Sequence, residues 1–457
     1  MSRRTPPGPP LTAGPALFRQ LVADRLGMLT TANARYGDAV KLTIGPKSLY
    51  YFNHPDHAKH VLADNSGNYH KGLGLAEARQ AIGDGLLTSE GELWRRQRKT
   101  VQPVFQNRRL ARQADAIGLE AAKLVDRLRA HGPGEPVDMA EEMTGLTLGV
   151  LGRTVLDADL DAFTSIGHSF EALQDQAMFD MVSLNKVPAW LPLPKRVRFR
   201  RALKDLHRVA DSLVAQRLSG YDGDGDDAVS RIIAASREDG LGRIREELVT
   251  LLLAGHETTA STLSWAFHLI DGHPRVRERL HAEAVTVLGD RLPVYEDLHQ
   301  LRYTAMVVEE VMRLYPPVWA LPRRALADDE VGGYHVPAGA DVMISPYTLH
   351  RHPRFWEEPD RFVPERFDPG APANRPRYAY IPFGAGPRFC VGNHLGMMEA
   401  VFVIAMVSRD LRLTAVPGRR AVPEPMLSLR IRGGLPMTVS AVESAAAGRS
   451  REVAAVL

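Results

Sequence analysis

The chain has 457 residues, of which 44% are hydrophobic and 24% charged, and its formal net charge is +3. So small an excess, with neither a long basic block nor an aromatic-basic stripe, gives nucleic-acid binding little support. The lone cysteine, Cys390, excludes an internal disulfide and a multi-cysteine zinc site, leaving a single nucleophile, a single metal ligand or a buried structural thiol.

The elements read as follows in chain order. Residues 1–15 form an Arg- and Pro-rich start with no apolar run behind it, which argues against a signal peptide or membrane anchor. Residues 36–53 carry two apolar runs around Gly45 and Pro46 and read as a hairpin. Trp94 and Arg98 stand one turn apart on a basic helix, about half of whose charges, including Arg95, Arg96 and Lys99, belong to a solvated face. The stretch Val187 to Pro194, with four prolines or aromatics, reads as a loop between helices, and Gly220 to Asp227 as a surface loop. From Ile244 to Leu269 the sequence is long and apolar enough for a helix through the core, so Glu257 and Thr258 within it need a reason. A purely structural reason exists: Thr258 bonding back to the carbonyl of Ala254, with Glu257 exposed. A peptidase reading of His256 and Glu257 fails, because no second histidine follows one turn later.

Leu301 to Leu314 is a further helix, with Glu310 and Arg313 on one face among Val307, Val308, Val311 and Met312, and the prolines Pro316 and Pro317 end it. Strand-like pieces at Val331 to Ile344 and Met426 to Val439 suit a small sheet with the hairpin. Between them lies Cys390, framed by Phe383, Gly386, Arg388 and Gly392. The glycines let the backbone turn around the sulfur and a flat cofactor lie against it, and Phe383 shields it from water. An apolar helix starts just beyond and aims its amides and dipole at the thiol, favouring the thiolate. Arg388 supplies a fixed charge for an acid group. These pieces describe an axial cysteine ligand to heme iron. The tail, residues 444–457, is small and polar enough to be loose.

The order Phe383, Gly386, Arg388, Cys390, Gly392 resembles the heme-binding signature of the cytochrome P450 monooxygenases, and four further places agree in order. The resemblance covers residues 30 to 440 and implies the family fold, mainly α with a minor β-sheet, a helical prism enclosing heme b in one catalytic domain over residues 16–443. It implies that Ala254 and Gly255 leave room beside the iron, and that Glu257 and Thr258 are the acid and alcohol of proton delivery. Glu310, Arg313 and Arg366 become a structural network on the thiolate side, whose loss costs heme incorporation before chemistry. Trp94, Arg98, Arg323 and Arg388 become propionate ligands, with Arg324 as the alternative to Arg323.

For the substrate pocket the resemblance points to Leu73, Leu75, Ile82, Met178, Phe179, Leu251, Val318, Trp319, Leu321 and Leu427, each of which could equally be simple core. Together they imply an apolar substrate. The run Pro316 to Trp319 followed by Pro322 to Ala325 is similar to bacterial members of secondary metabolism that oxidise terpenes, and fatty-acid, steroid and macrolide hydroxylases are the alternatives. Electrons would come from NAD(P)H through an external ferredoxin and ferredoxin reductase, because no glycine-rich dinucleotide segment follows a strand. A soluble, cytoplasmic enzyme consuming dioxygen is expected. Two other readings are a peroxide-driven peroxygenase, disfavoured by the intact Glu257 and Thr258, and a noncatalytic heme sensor, for which that pair would have no purpose. Gly396 departs from the pattern, standing where many relatives have alanine.

Overall fold

The computed structural model describes residues 4–132, 134–160, 163, 165–183, 187, 188, 190–219, 225–236, 239–371 and 375–442. The tail and most of the loop from Gly220 lie outside these residues. Chain order begins with α1 (Gly14–Ala23), α2 (Arg25–Tyr36), β1 (Ala39–Ile44), β2 (Lys47–Phe52), α3 (Pro55–Lys59), β3 (Tyr69–Lys71), α4 (Leu75–Ile82) and α5 (Gly91–Val101). It continues with α6 (Asn107–Arg129), β4 (Pro136–Asp138), α7 (Met139–Leu151), α8 (Ile166–Val182), α9 (Pro194–Leu218), α10 (Ala228–Ala235), α11 (Leu241–Asp271) and α12 (Pro274–Leu288). Then come α13 (Arg302–Leu314), β5 (Leu321–Ala325), β6 (Asp329–Val331), β7 (Tyr334–Val336), β8 (Asp341–Ile344) and α14 (Pro346–Leu349). Last are α15 (Asn393–Asp410), β9 (Leu411–Ala415), β10 (Pro423–Pro425), β11 (Leu429–Ile431) and β12 (Pro436–Ala441).

The length and apolarity of α11 put it through the main core, where residues from Leu248 to Leu253 and from Thr259 to Phe267 are buried. It packs against α7 on one side and α15 and α13 on others. Two side chains fasten it to the C-terminal strands: Ser261 Oγ donates to the Leu429 carbonyl at 2.6 Å and Trp265 Nε1 to the same oxygen at 2.9 Å. Trp265 also stacks face to face on Tyr315, centroids 3.8 Å apart, just where Pro316 and Pro317 forbid α13 to continue.

The expected hairpin is β1 against β2, Ala39 opposite Phe52, and Gly45 takes the left-handed conformation its two-residue turn requires. It leads a five-stranded sheet in the order β1, β2, β8, β5, β3. The stretch Met426 to Val439 does not join that sheet. Its strands divide, β11 pairing with β10 and β12 with β9 and β4, because β12 continues directly the packing of α15 and β9. From Val331 to Ile344 only β8 joins the hairpin, while β6 and β7 form a separate ribbon.

Glu310 and Arg313 on α13 are fully buried, unlike an ordinary surface pair. Arg313 donates to Glu310 through two nitrogens, at 2.6 and 2.8 Å, and to the carbonyls of His350, Pro359 and Arg361. The remaining capacity of Glu310 is met by the Val363 amide at 2.8 Å and by Arg366, whose Nε stands 3.4 Å from Oε1. The cluster pins the loop after α14 to α13 and so fixes the chain that leads to Cys390. We expect Glu310→Leu to cost about 3–5 kcal/mol, because it strands a buried guanidinium. Denaturant unfolding measures this, and a loss under about 1 kcal/mol would contradict it.

Candidate functional site

The loop from Phe383 to Gly392 closes on itself when the Cys390 amide donates to the Phe383 carbonyl at 3.0 Å. Gly384 and Gly386 both have positive φ. Gly386 has a second reason to be glycine, and it is not the cofactor: a Cβ there would stand 2.0 Å from the Leu62 carbonyl oxygen. The glycine thus lets the loop press against the turn after α3. Gly392 is the N-cap of α15 with ordinary dihedrals, and a Cβ there would merely touch Phe105.

Cys390 is accessible to solvent yet deep enough that burial pushes its thiol up, while the Gly392 amide and the Arg98 guanidinium pull it down. The two facts agree if the sulfur opens onto an interior space rather than the outer surface. α11 shows the same pattern: Ala254 is exposed although Leu251, Leu252, Leu253 and His256 around it are buried. The first turn of α15 lies against α11, a Cβ on Gly396 coming 3.7 Å from Thr259 Oγ1, so the alanine common at that position would fit without strain.

Gly255, expected beside the iron, also has a packing reason to be glycine. A Cβ there would stand 2.5 Å from Leu151 Cδ1, so this glycine serves the packing of α7 on α11. Thr258 Oγ1 donates to the Ala254 carbonyl at 3.0 Å, the bond a purely structural reading requires. Glu257 departs from that reading, since it is half-buried and held. Its Oε1 accepts from Gln174 Nε2 at 2.6 Å and from Ser428 Oγ at 2.7 Å. His256 is buried, bonded to the Leu252 carbonyl, and burial pulls its imidazole below the ordinary range, so it stays neutral.

A group of cations converges beside the cysteine loop. Arg98 Nη1 donates to the Phe389 carbonyl at 2.9 Å, and Arg388 lies 3.9 Å over the ring of Trp94 while bonding Ser89 and Glu90. In the sheet, Lys71 of β3 is paired with Arg323 of β5. Arg323 is buried and its pKa falls to about 10, by desolvation first and then by repulsion from Arg388. Desolvation and the charges of Arg323 and Arg388 also pull Lys71 well down, with only Glu90 opposing them. Arg324 points to the other face of β5 and pairs with Asp341 at 2.8 Å, so it is Arg323 that joins the cluster.

Four cations against one carboxylate leave a buried positive excess that an anionic group would neutralise. With the inward-opening thiol and the bare stretch of α11 at Ala254, the residues present fit a heme: one sulfur ligand, a flat wall and cations for two carboxylates. Lys71, Glu90, Gln174 and Ser428 escape sequence reasoning. Each reaches its partner across the fold.

The expected pocket residues divide. Ile82, Met178 and Leu251 are buried, while Leu73, Leu75, Phe179, Val318, Leu321 and Leu427 are partly exposed. Trp319 packs in a core beside α1, α2 and the sheet and donates to the Met426 carbonyl at 2.9 Å, a packing role that occupies the indole. In the loop before α9, Trp190 is 75% exposed.

Comparison with known proteins places these features in a family. The model of the family Cytochrome P450 matches residues 6–434. The chain is 36% identical to cyclooctatin synthase of Streptomyces melanosporofaciens, over 93% of this chain and 92% of that protein. It is 34% identical to cyclooctat-9-en-7-ol 5-monooxygenase of the same organism, covering 84% of each. It is 31% identical to pentalenene oxygenase of Streptomyces avermitilis, over 87% of this chain and 89% of the other. A match over nearly the whole chain, joined to a lone thiol three residues before α15, makes the chain a member of the cytochrome P450 family, a heme-dependent monooxygenase.

Proposed function

We propose that this monooxygenase inserts one oxygen atom into a terpenoid, using electrons from NAD(P)H relayed by a ferredoxin and its reductase. The observation that carries the substrate class is the likeness, over nine-tenths of the chain, to cyclooctatin synthase, supported by the likeness to pentalenene oxygenase. The apolar residues Phe179, Val318, Leu321 and Leu427 suit such a substrate, which needs no anchoring charge. Among the described residues no helix is long and apolar enough to cross a membrane.

Cys390 would be the iron ligand, Arg98, Arg323 and Arg388 with Lys71 would hold the propionates, and Trp94 would brace Arg388. Heme held there supplies dioxygen activation and electron transfer. The chain's own part is protons and exclusion of water. Glu257 keeps one oxygen on Gln174 and Ser428 and has the other to exchange a proton. Thr258 rests its hydrogen on the Ala254 carbonyl and presents lone pairs to the groove. An acid and an alcohol on adjacent positions of α11 thereby bracket one place at which a proton can be delivered. Exposed Arg95, Arg96 and Lys99, on the same helix as Arg98, suit an acidic electron donor.

Thr258→Ala should keep heme and substrate binding but waste electrons as peroxide, lowering product per NAD(P)H by about tenfold or more; fully coupled turnover would contradict the relay. In a ligand panel read by heme spin state, terpenoids should shift the spectrum while fatty acids, steroids and macrolides do not. A shift with one of the latter classes alone would replace the substrate assignment. Turnover with peroxide alone should fall well below turnover with ferredoxin, reductase and NADPH, and the reverse ranking would make the protein a peroxygenase.

A further inference from the structure

α11 carries a second carboxyl, nearer its start. Glu247 is 2% exposed. Its Oε2 accepts the Leu86 amide at 3.1 Å, while Oε1 has no partner. Thr250, one turn on and also 2% exposed, has an unpartnered hydroxyl. That is unusual on this helix, because Thr258, Thr262 and Ser264 all bond back to the carbonyl four residues earlier. The loop carrying Leu86 presses closely here, so that a Cβ on Gly85 would stand 1.9 Å from the Thr250 oxygen.

A buried polar atom without a partner is costly, so two on neighbouring turns point to water between them. A cleft reaches Glu247 from the outside. Between α5, α10 and α11 lies a cleft of about 10 Å³, room for a single water, lined by Arg96, Thr100, Ser236, Asp239, Arg243 and Glu247. Its mouth carries the exposed pair Arg96 and Asp239, 3.2 Å apart. Glu247 alone of the stripe lines this cleft; beyond it Thr250, Ala254 and Thr258 follow at helical spacings on the same face of α11, spanning about 16 Å. Ala254, in the middle of that stripe, is exposed to the interior.

We propose that Glu247 is a proton-storing carboxyl: solvent protons enter through the cleft, rest on Glu247 and pass by the Thr250 hydroxyl and water along this stripe to Thr258. No oxidation is involved. A hydronium in the cleft gives its proton to the carboxylate, and the carboxyl O–H later gives it to the next water. Burial pushes the Glu247 carboxyl up to about 7, helped by Glu246 and opposed by the Leu86 amide and Arg243. Arg96 and Asp239 are the charges facing it across the cleft. Near neutral pH such a group both takes and gives a proton. The folded-state pKa lies above the unfolded one, so the charged form costs stability above pH 7, and the cost disappears below the ordinary carboxylate range.

The proposal rests on the proton-delivery role of Thr258, but its first test does not. In the infrared difference between the parent holoenzyme and Glu247→Gln, without substrate, a protonated carboxyl band should be lost that titrates near neutrality. Glu247→Gln should also melt higher than the parent at pH 8, with the gap closing by pH 5. In turnover it should keep heme and substrate binding while product per electron loses its dependence on pH between 6 and 8, and Thr250→Val should do the same. No band difference, or a coupling profile identical to the parent in either variant, would overturn the proposal.

Discussion

The proposed thiolate asks a single, partly desolvated sulfur to stay charged, and the features around Cys390 bear on that demand. Burial works against the thiolate of Cys390. Two features work for it: the start of α15, whose Gly392 amide points at the sulfur, and Arg98, one turn of α5 beyond Trp94. Neither would serve if the loop could drift. The loop is closed by the Phe383 carbonyl, pressed on the Leu62 backbone through Gly386, and approached by a chain that Glu310, Arg313 and Arg366 hold to α13. The buried ion pair is therefore part of what holds the cysteine loop in place.

Charge around the site repeats the same logic at longer range. Lys71, Arg98, Arg323 and Arg388 stand beside one carboxylate, Glu90; burial first, then repulsion from neighbouring cations, pulls Lys71, Arg323 and Arg388 down. An assembly of that kind is unfavourable alone and becomes favourable with an anionic cofactor. On the other side, several polar groups of α11 are tied across the fold: Glu257 by Gln174 and Ser428, Trp265 and Ser261 by Leu429.

Much of this was legible in the sequence because it is local. The apolar run of α11, the hairpin around Gly45, the proline stop after α13 and the spacing around Cys390 all depend on neighbours within a few residues. What was not legible is what reaches across the fold. Gln174 and Ser428 come to Glu257 from positions far before and after it, and Lys71 meets Arg323 only because β3 pairs with β5. The glycines carry a further role of the same kind: Gly255 and Gly386 also make room for Leu151 and the Leu62 backbone. Composition could not tell on which face of the backbone the missing side chain mattered. The strands from Met426 to Val439 were visible as strands, while their partners were set by where α15 delivers the chain.

The central claim is that Cys390, as a thiolate, is the axial ligand of the heme. The carbon monoxide adduct of the reduced protein tests it most directly. The strongly red-shifted Soret band of thiolate ligation should appear in the parent and vanish in Cys390→Ser. A parent adduct without that band, or a variant that retains it, would contradict the account.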